Sequence, residues 1–203
     1  MTATSGTTVV ASAYDDSLLL RDARARYFED NGFGADGGYA KKWEVVKMGP
    51  LPIPIPNVEG RKQALCYHDL HHIVSGYRTD WTGEFEISAF ELGAGCGKLW
   101  FAWLINLTGV VGGMFLCPRR TFRAFVRGRR AQALYRIPYS DALLERRVGE
   151  VRRELGLDVA PGKARAADVA LFGAALLMGG AVGSFHLALG LSPFLAVAYA
   201  MAS

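Results

Sequence analysis

From Val169 to Ser203 the chain carries no charged side chain, and His186 and Tyr199 are its only ionisable ones. A run of this length and character crosses a bilayer, lies along one, or packs into a helical interior. AADVALFGAALLMGGAVGSFHLALG is long enough to span, and GLSP predicts a break before a shorter apolar tail, FLAVAYAMA. A second charge-free run, LWFAWLINLTGVVGGMFLC at 99–117, just reaches spanning length. Its glycines favour a buried or membrane-dipping helix over a full span. With 51% hydrophobic and 21% charged residues, the composition is apolar for a soluble domain and points to contact with lipid.

Upstream the pattern is helical. Residues 1–13 are small and polar and read as disordered, and a helix is expected from Asp16 through SLLLRDARARYFEDNG, capped by aspartate or serine. A short strand fits Trp43–Lys47, and PLPIPIP at 50–56 is an extended connector, because alternating prolines remove backbone donors. Asn57 is placed to cap a helix that Gly76 closes. Arg61, Lys62 and Gln63 put part of that helix in water. After GYRTD, Thr79 or Asp80 caps a second helix from Trp81, running on through EISAFELGAGCGK. Its small residues 89, 93 and 97 make a ridge for a helix or a lipid chain. Ser140 is expected to cap one amphipathic helix carrying Leu144, Val148, Val151 and Leu155, ended by Gly156.

The expected fold class is therefore mainly α, a helical bundle with an appended apolar C-terminal helical segment. Its parts are a disordered 1–13, a helical metal-binding domain at 14–157, a linker at 158–166 and a hydrophobic membrane segment at 167–203. Arginines 119, 120, 123, 127, 129 and 130 crowd beside Phe122, Phe125 and Val126. That mixture suits an anionic membrane surface, with a solvated helix face as the alternative. No nucleic-acid motif accompanies it, so nucleic acid is not an expected partner. Three cysteines without CxxC spacing fit a reducing compartment, and the first residues show neither a secretory signal nor a transit peptide. The expected location is the cytoplasmic face of a bacterial-type membrane.

Three of the four histidines fall within five positions of HDLHHIVSGYRTDWTGE, residues 68–84. On a helix, His68 and His72 share a face one turn apart, and Asp69 sits about 100° round, beside the flank of His72. Two imidazoles and a carboxylate suit a divalent transition metal such as zinc or iron. Eleven residues separate His72 from Glu84, enough to finish the helix, turn at Gly76 and bring Glu84 back as a fourth ligand. Glu91 shares its face and is placed to accept from an imidazole N–H. His71 points away from the shared site. Spacing alone leaves a solvated polar helix equally open. The HxxHH of membrane di-iron enzymes is excluded, since those sites need about twice the histidines, and GAGCGK lacks the full phosphate-loop pattern.

HDxxH, eleven residues, then Glu resembles the motif of the coenzyme Q biosynthesis protein four family, without a gap. The Gly–x–x–Thr–Asp turn at Gly76–Asp80 and Gly83–Glu84 are similar as well, and the likeness extends from about Tyr27 to Leu155. The resemblance implies a helical bundle with His68, Asp69, His72 and Glu84 as ligands of a divalent cation. It also implies a polyprenylated, lipid-like hydroxybenzoate substrate, a metal-dependent lyase removing the ring carboxylate with coupled hydroxylation, and other quinone-biosynthesis enzymes as partners. A non-catalytic lipid-binding scaffold is the alternative, and the chain is compatible with a homodimer.

Overall fold

The structure, a computed structural model, describes residues 14–48 and 51–202, with the backbone alone for 46–48, 51–54 and 186–202. The disorder expected over 1–13 lies outside the described residues. In chain order the elements are α1 (Leu20–Asp30), β1 (Trp43–Met48), β2 (Leu51–Pro56), α2 (Glu59–Ser75), α3 (Trp81–Ala94), α4 (Trp100–Leu116), α5 (Pro118–Gly128), a 3-10 turn (Leu134–Arg136), α6 (Asp141–Leu144), α7 (Val148–Glu154) and α8 (Ala166–Ala202). The protein is mainly helical, with a single two-stranded sheet among the described residues.

The described part of that connector, LPIPIP at 51–56, is extended, as its prolines require, but it is not free. It pairs antiparallel with β1, Trp43 opposite Pro56 and Met48 opposite Leu51. Asn57 N–H donates to the Lys42 carbonyl, 2.9 Å, which sets the alternation. Residues 55, 53 and 51 then turn their N–H groups toward β1, and prolines 56, 54 and 52 fall where no donor is needed. The Asn57 side chain does not cap α2, whose N-cap is Val58. It donates instead to the carbonyls of Gly38, Tyr39 and Lys41, and its Oδ1 accepts from Arg61, which is buried rather than in water.

Two other helix boundaries differ from expectation for one shared reason. The α1 helix starts at Leu20 and not Asp16, and the expected Ser140–Gly156 helix is split into α6 and α7. Leu19 and Arg147 form an isolated antiparallel bridge, with Leu20 N–H on the Arg146 carbonyl and Val148 N–H on the Leu18 carbonyl. Backbone groups committed to each other across the fold cannot also continue a helix.

Buried nearly throughout from Phe85 to Ala94, α3 forms the centre of the molecule. It ends at Gly95, short of the expected 98, so of the small-residue ridge Ala89 and Gly93 lie within it and Gly97 beyond it. The ridge faces a helix. A Cβ on Gly93 would lie 2.3 Å from the Phe125 carbonyl oxygen, and one on Gly128 would lie 2.0 Å from that of Phe90. The backbones of α3 and α5 therefore touch.

Much of the basic cluster on and after α5 is used internally. Arg120 forks onto Glu86, Arg127 donates to the Ser75 carbonyl and lies over Tyr77, and Arg129 and Arg130 meet Asp168. Arg119 and Arg123 face solvent.

Only α8, over Ala166–Phe185, is long and apolar enough to cross a membrane among the described residues. The α4 helix is shorter. The break expected at GLSP is absent, and α8 runs through it as one helix. Its first half rests on α4 and α5: Phe172 meets Phe122 and Phe125, each at 5.1 Å between ring centres, and Gly179 crosses the Leu107 carbonyl. Leu171, Leu177, Met178 and Phe185 remain exposed on the other side.

Candidate metal centre

The site is assembled where α2 ends and α3 begins. Gly76 takes the left-handed conformation that closes α2, at φ 78°. Asp80 then caps α3, accepting from the Gly83 N–H at 2.8 Å. The turn folds so tightly that a Cβ on Gly83 would lie 1.9 Å from the Arg78 carbonyl oxygen. This close return carries Glu84, in the first turn of α3, back over the histidines of α2.

His68, His72 and Glu84 bring one ligand atom each within 4.8 Å of one another. The two Nε2 atoms are 3.2 Å apart, and each lies 3.3 Å from a different Glu84 oxygen. Four-coordinate ligands about 2.0–2.1 Å from one ion sit about 3.3 Å from each other, a spacing matched by the two Nε2 atoms and by each Nε2 with its own Glu84 oxygen.

The proton bookkeeping agrees. His72 Nδ1 lies 3.0 Å from the Tyr77 carbonyl, which only accepts, so Nδ1 holds a proton and, in the neutral ring, Nε2 is left with the lone pair. His68 Nδ1 lies 3.0 Å from Glu91 Oε1, with the same consequence. A shared cation would take both Nε2 lone pairs; without one, a proton on His68 serves the same contacts, favoured by Glu91 and Glu84.

Glu91 is 1% exposed, and all its acceptor capacity is engaged. Oε1 accepts from His68 and His71, and Oε2 accepts from Asn106 and Tyr135. Burial works against its charge, but His68 and His71 outweigh that and hold the carboxyl well below the usual carboxylate range. Burial likewise opposes Glu84, yet its bonds to His68 and His72 bring it down to about 2. Burial disfavours a charged His68, but Glu91 and Glu84 dominate and raise it well above an ordinary histidine. The centre is built to attract positive charge.

Three of the four expected ligands thus converge, and Glu91 stands behind His68. Asp69 is not part of the converging group. Its carboxylate accepts from the Tyr39 hydroxyl, and burial raises its pKa despite that bond. His71 is also outside the triangle, but it is joined to it: Nδ1 meets Glu91 at 2.9 Å, and Nε2 accepts the Leu134 N–H. Tyr27 stacks on His72. Sequence reasoning missed Tyr39, Tyr135 and Asn106. Asn106 alone carried a readable signal, an amide within the apolar run 99–117; its Oδ1 is buried without a hydrogen-bond partner among the described residues.

His68, Glu84 and Glu91 line a cavity of about 620 Å³ between α2, α3 and α4. Leu65, Phe85, Ala102, Ile105 and Gly109 make most of its remaining wall apolar. No family model, curated protein or solved structure matches the chain. The group His68, His72 and Glu84 can hold a metal ion on the strength of its donors and spacing.

Proposed function

We propose that the protein is a membrane-associated divalent-metal lyase of the coenzyme Q biosynthesis protein four family. It would decarboxylate a polyprenylated hydroxybenzoate, with hydroxylation at the vacated carbon. The observation that carries this reading is the group of His68, His72 and Glu84, which meets a largely apolar cavity through His68 and Glu84. Zinc or iron fits the donor set. A bound divalent ion supplies Lewis acidity toward a carboxylate or phenolate oxygen.

The chain's own residues perform the rest. Glu91 and the Tyr77 carbonyl hold protons on Nδ1 of His68 and His72 and so keep both Nε2 atoms available. His68 and Glu84, the latter with 38% of its side chain exposed, are the ligands facing the cavity. Ala102, Ile105 and Gly109 on the cavity wall would give an isoprenoid tail an apolar bed. Carbon dioxide leaves as the ring–carboxylate bond breaks, and the hydroxylation draws on an external oxidant of the dioxygen type.

The exposed apolar side of α8 supports a second reading, a lipid-binding scaffold that gathers quinone-biosynthesis enzymes at the membrane around a structural metal. Metal analysis of the purified protein, paired with complementation of a decarboxylation-deficient strain, separates the two. Stoichiometric metal with rescue by wild type and none by Glu84→Gln supports the lyase. Equal rescue by both selects the scaffold, and absence of stoichiometric metal removes both.

A further inference from the structure

Arg61 lies on the face of α2 that carries His68, two helical turns earlier, about 10 Å along the axis. It is 9% exposed and lines the same cavity as His68 and Glu84. The one hydrogen bond of its side chain among the described residues runs from Nη1 to Asn57 Oδ1, 2.7 Å, a neutral amide. No carboxylate forms an ion pair with it there. Glu44 and Asp69 are the acidic groups that act on it from a distance, but Glu44 pairs with Lys41 and Asp69 accepts from Tyr39. A buried guanidinium without a counter-charge is costly to maintain, and its remaining N–H donors form a planar fork suited to an oxyanion.

We propose that Arg61 is an oxyanion-recognition residue at the end of the cavity away from the metal triad, and that the cavity selects acidic amphiphiles through it. The proposal rests on the cavity being the ligand site of the proposed lyase, and it adds a point of charge recognition that is independent of the metal. The cavity's carboxylates are already held, Glu84 and Glu91 by the histidines and Asp80 by Arg78, so a mostly apolar wall with one buried cation lacking a carboxylate matches a ligand having an apolar chain and a carboxylate or phosphate group. Asn57, anchored on three carbonyls of the 38–41 loop, holds the guanidinium in place.

The test uses the full chain with palmitate and hexadecanol, which differ in the carboxylate, and reads the change in intrinsic tryptophan fluorescence, to which Trp81 in the cavity wall contributes. Titrations are run with zinc and after chelation. In chelated wild type, palmitate is expected to bind about tenfold tighter than hexadecanol, a charge-assisted hydrogen-bond difference of about 1.4 kcal/mol. Arg61→Gln should abolish that preference and leave hexadecanol binding and zinc stoichiometry intact, while Arg61→Lys keeps part of it. Equal affinity of chelated wild type for the two probes overturns the proposal without any variant. A preference that disappears on chelation but survives in Arg61→Gln belongs to the metal, and it overturns the role of Arg61 while leaving the metal reading standing. Conversely, an Arg61-dependent preference in a protein that holds no zinc upholds the proposal and removes the lyase.

Discussion

Glu91 occupies the position where one residue does most for the site. Its two oxygens serve four donors from α2, α4 and the 3-10 turn, so its loss takes the buried acceptor from two imidazole N–H groups, a phenol and an amide. Glu91→Ala is expected to cost about 3–5 kcal/mol in denaturant unfolding, the range for breaking a buried charged network. Glu91→Gln keeps the shape but weakens the hold on the Nδ1 proton of His68, and zinc affinity should fall about 10–100-fold. Asp69 is distinguished from the triad in the same titration. His72→Ala is expected to lose stoichiometric zinc, whereas Asp69→Asn should retain it at reduced affinity. Complete loss of zinc in Asp69→Asn would instead make the aspartate a ligand.

At the scale of elements, glycine decides how close the backbones come. Gly83→Ala and Gly128→Ala would each drive a methyl into a main-chain carbonyl rather than a movable side chain. Both should destabilise by about 1–3 kcal/mol, the usual cost of overpacking, or more. Only Gly83→Ala is expected to lower zinc affinity as well, because the turn it closes carries Glu84. Unfolding curves beside zinc titrations check the contrast. The junction of α8 with α5 has its own signature. Bonds from Arg130 and the Arg165 N–H bring the carboxyl of Asp168 down to about 2. A depressed carboxyl contributes stability above its unfolded pKa and loses it as pH falls through the folded one. The difference in stability between wild type and Asp168→Asn should therefore stay constant above about pH 5 and shrink from about pH 4 toward 2.

For the whole molecule, the ligands come from two helices joined by the Gly76–Asp80 turn, so a bound ion ties α2 to the central α3. Zinc at a hundredfold excess over its dissociation constant adds about 2.7 kcal/mol to the folded state. In a chain of 203 residues that raises the melting temperature by about 5–10 °C. Chelator should reverse the shift and His72→Ala should abolish it, as read by scanning calorimetry; an equal shift in His72→Ala would place the ion elsewhere. The arginines contribute internally at this scale too. Arg127 and Arg152 reach the carbonyls of Ile73, Val74 and Ser75, where the end of α2 leaves acceptors unpaired, and so fasten the histidine helix to α5 and α7.

How much of this was legible depended on how far apart in the chain the partners lie. Local signals sufficed for the helical class, for Gly76 and Asp80 at the turn, for the i, i+4 histidines and for Glu84 eleven residues on, because period and capping act over a few residues. The sequence also marked α8 by composition, since burial and spanning length are properties of one segment. Only the tertiary structure decided the rest. Leu19 meeting Arg147 cut one expected helix in two, and LPIPIP became a strand because β1 supplied its partner. Asp69 was drawn to Tyr39 across thirty residues, and Arg61, polar by type, was enclosed by Asn57 and the cavity wall. Which donor a buried polar group finds is set by chain segments that pack against it, and no periodicity within its own helix records their arrival.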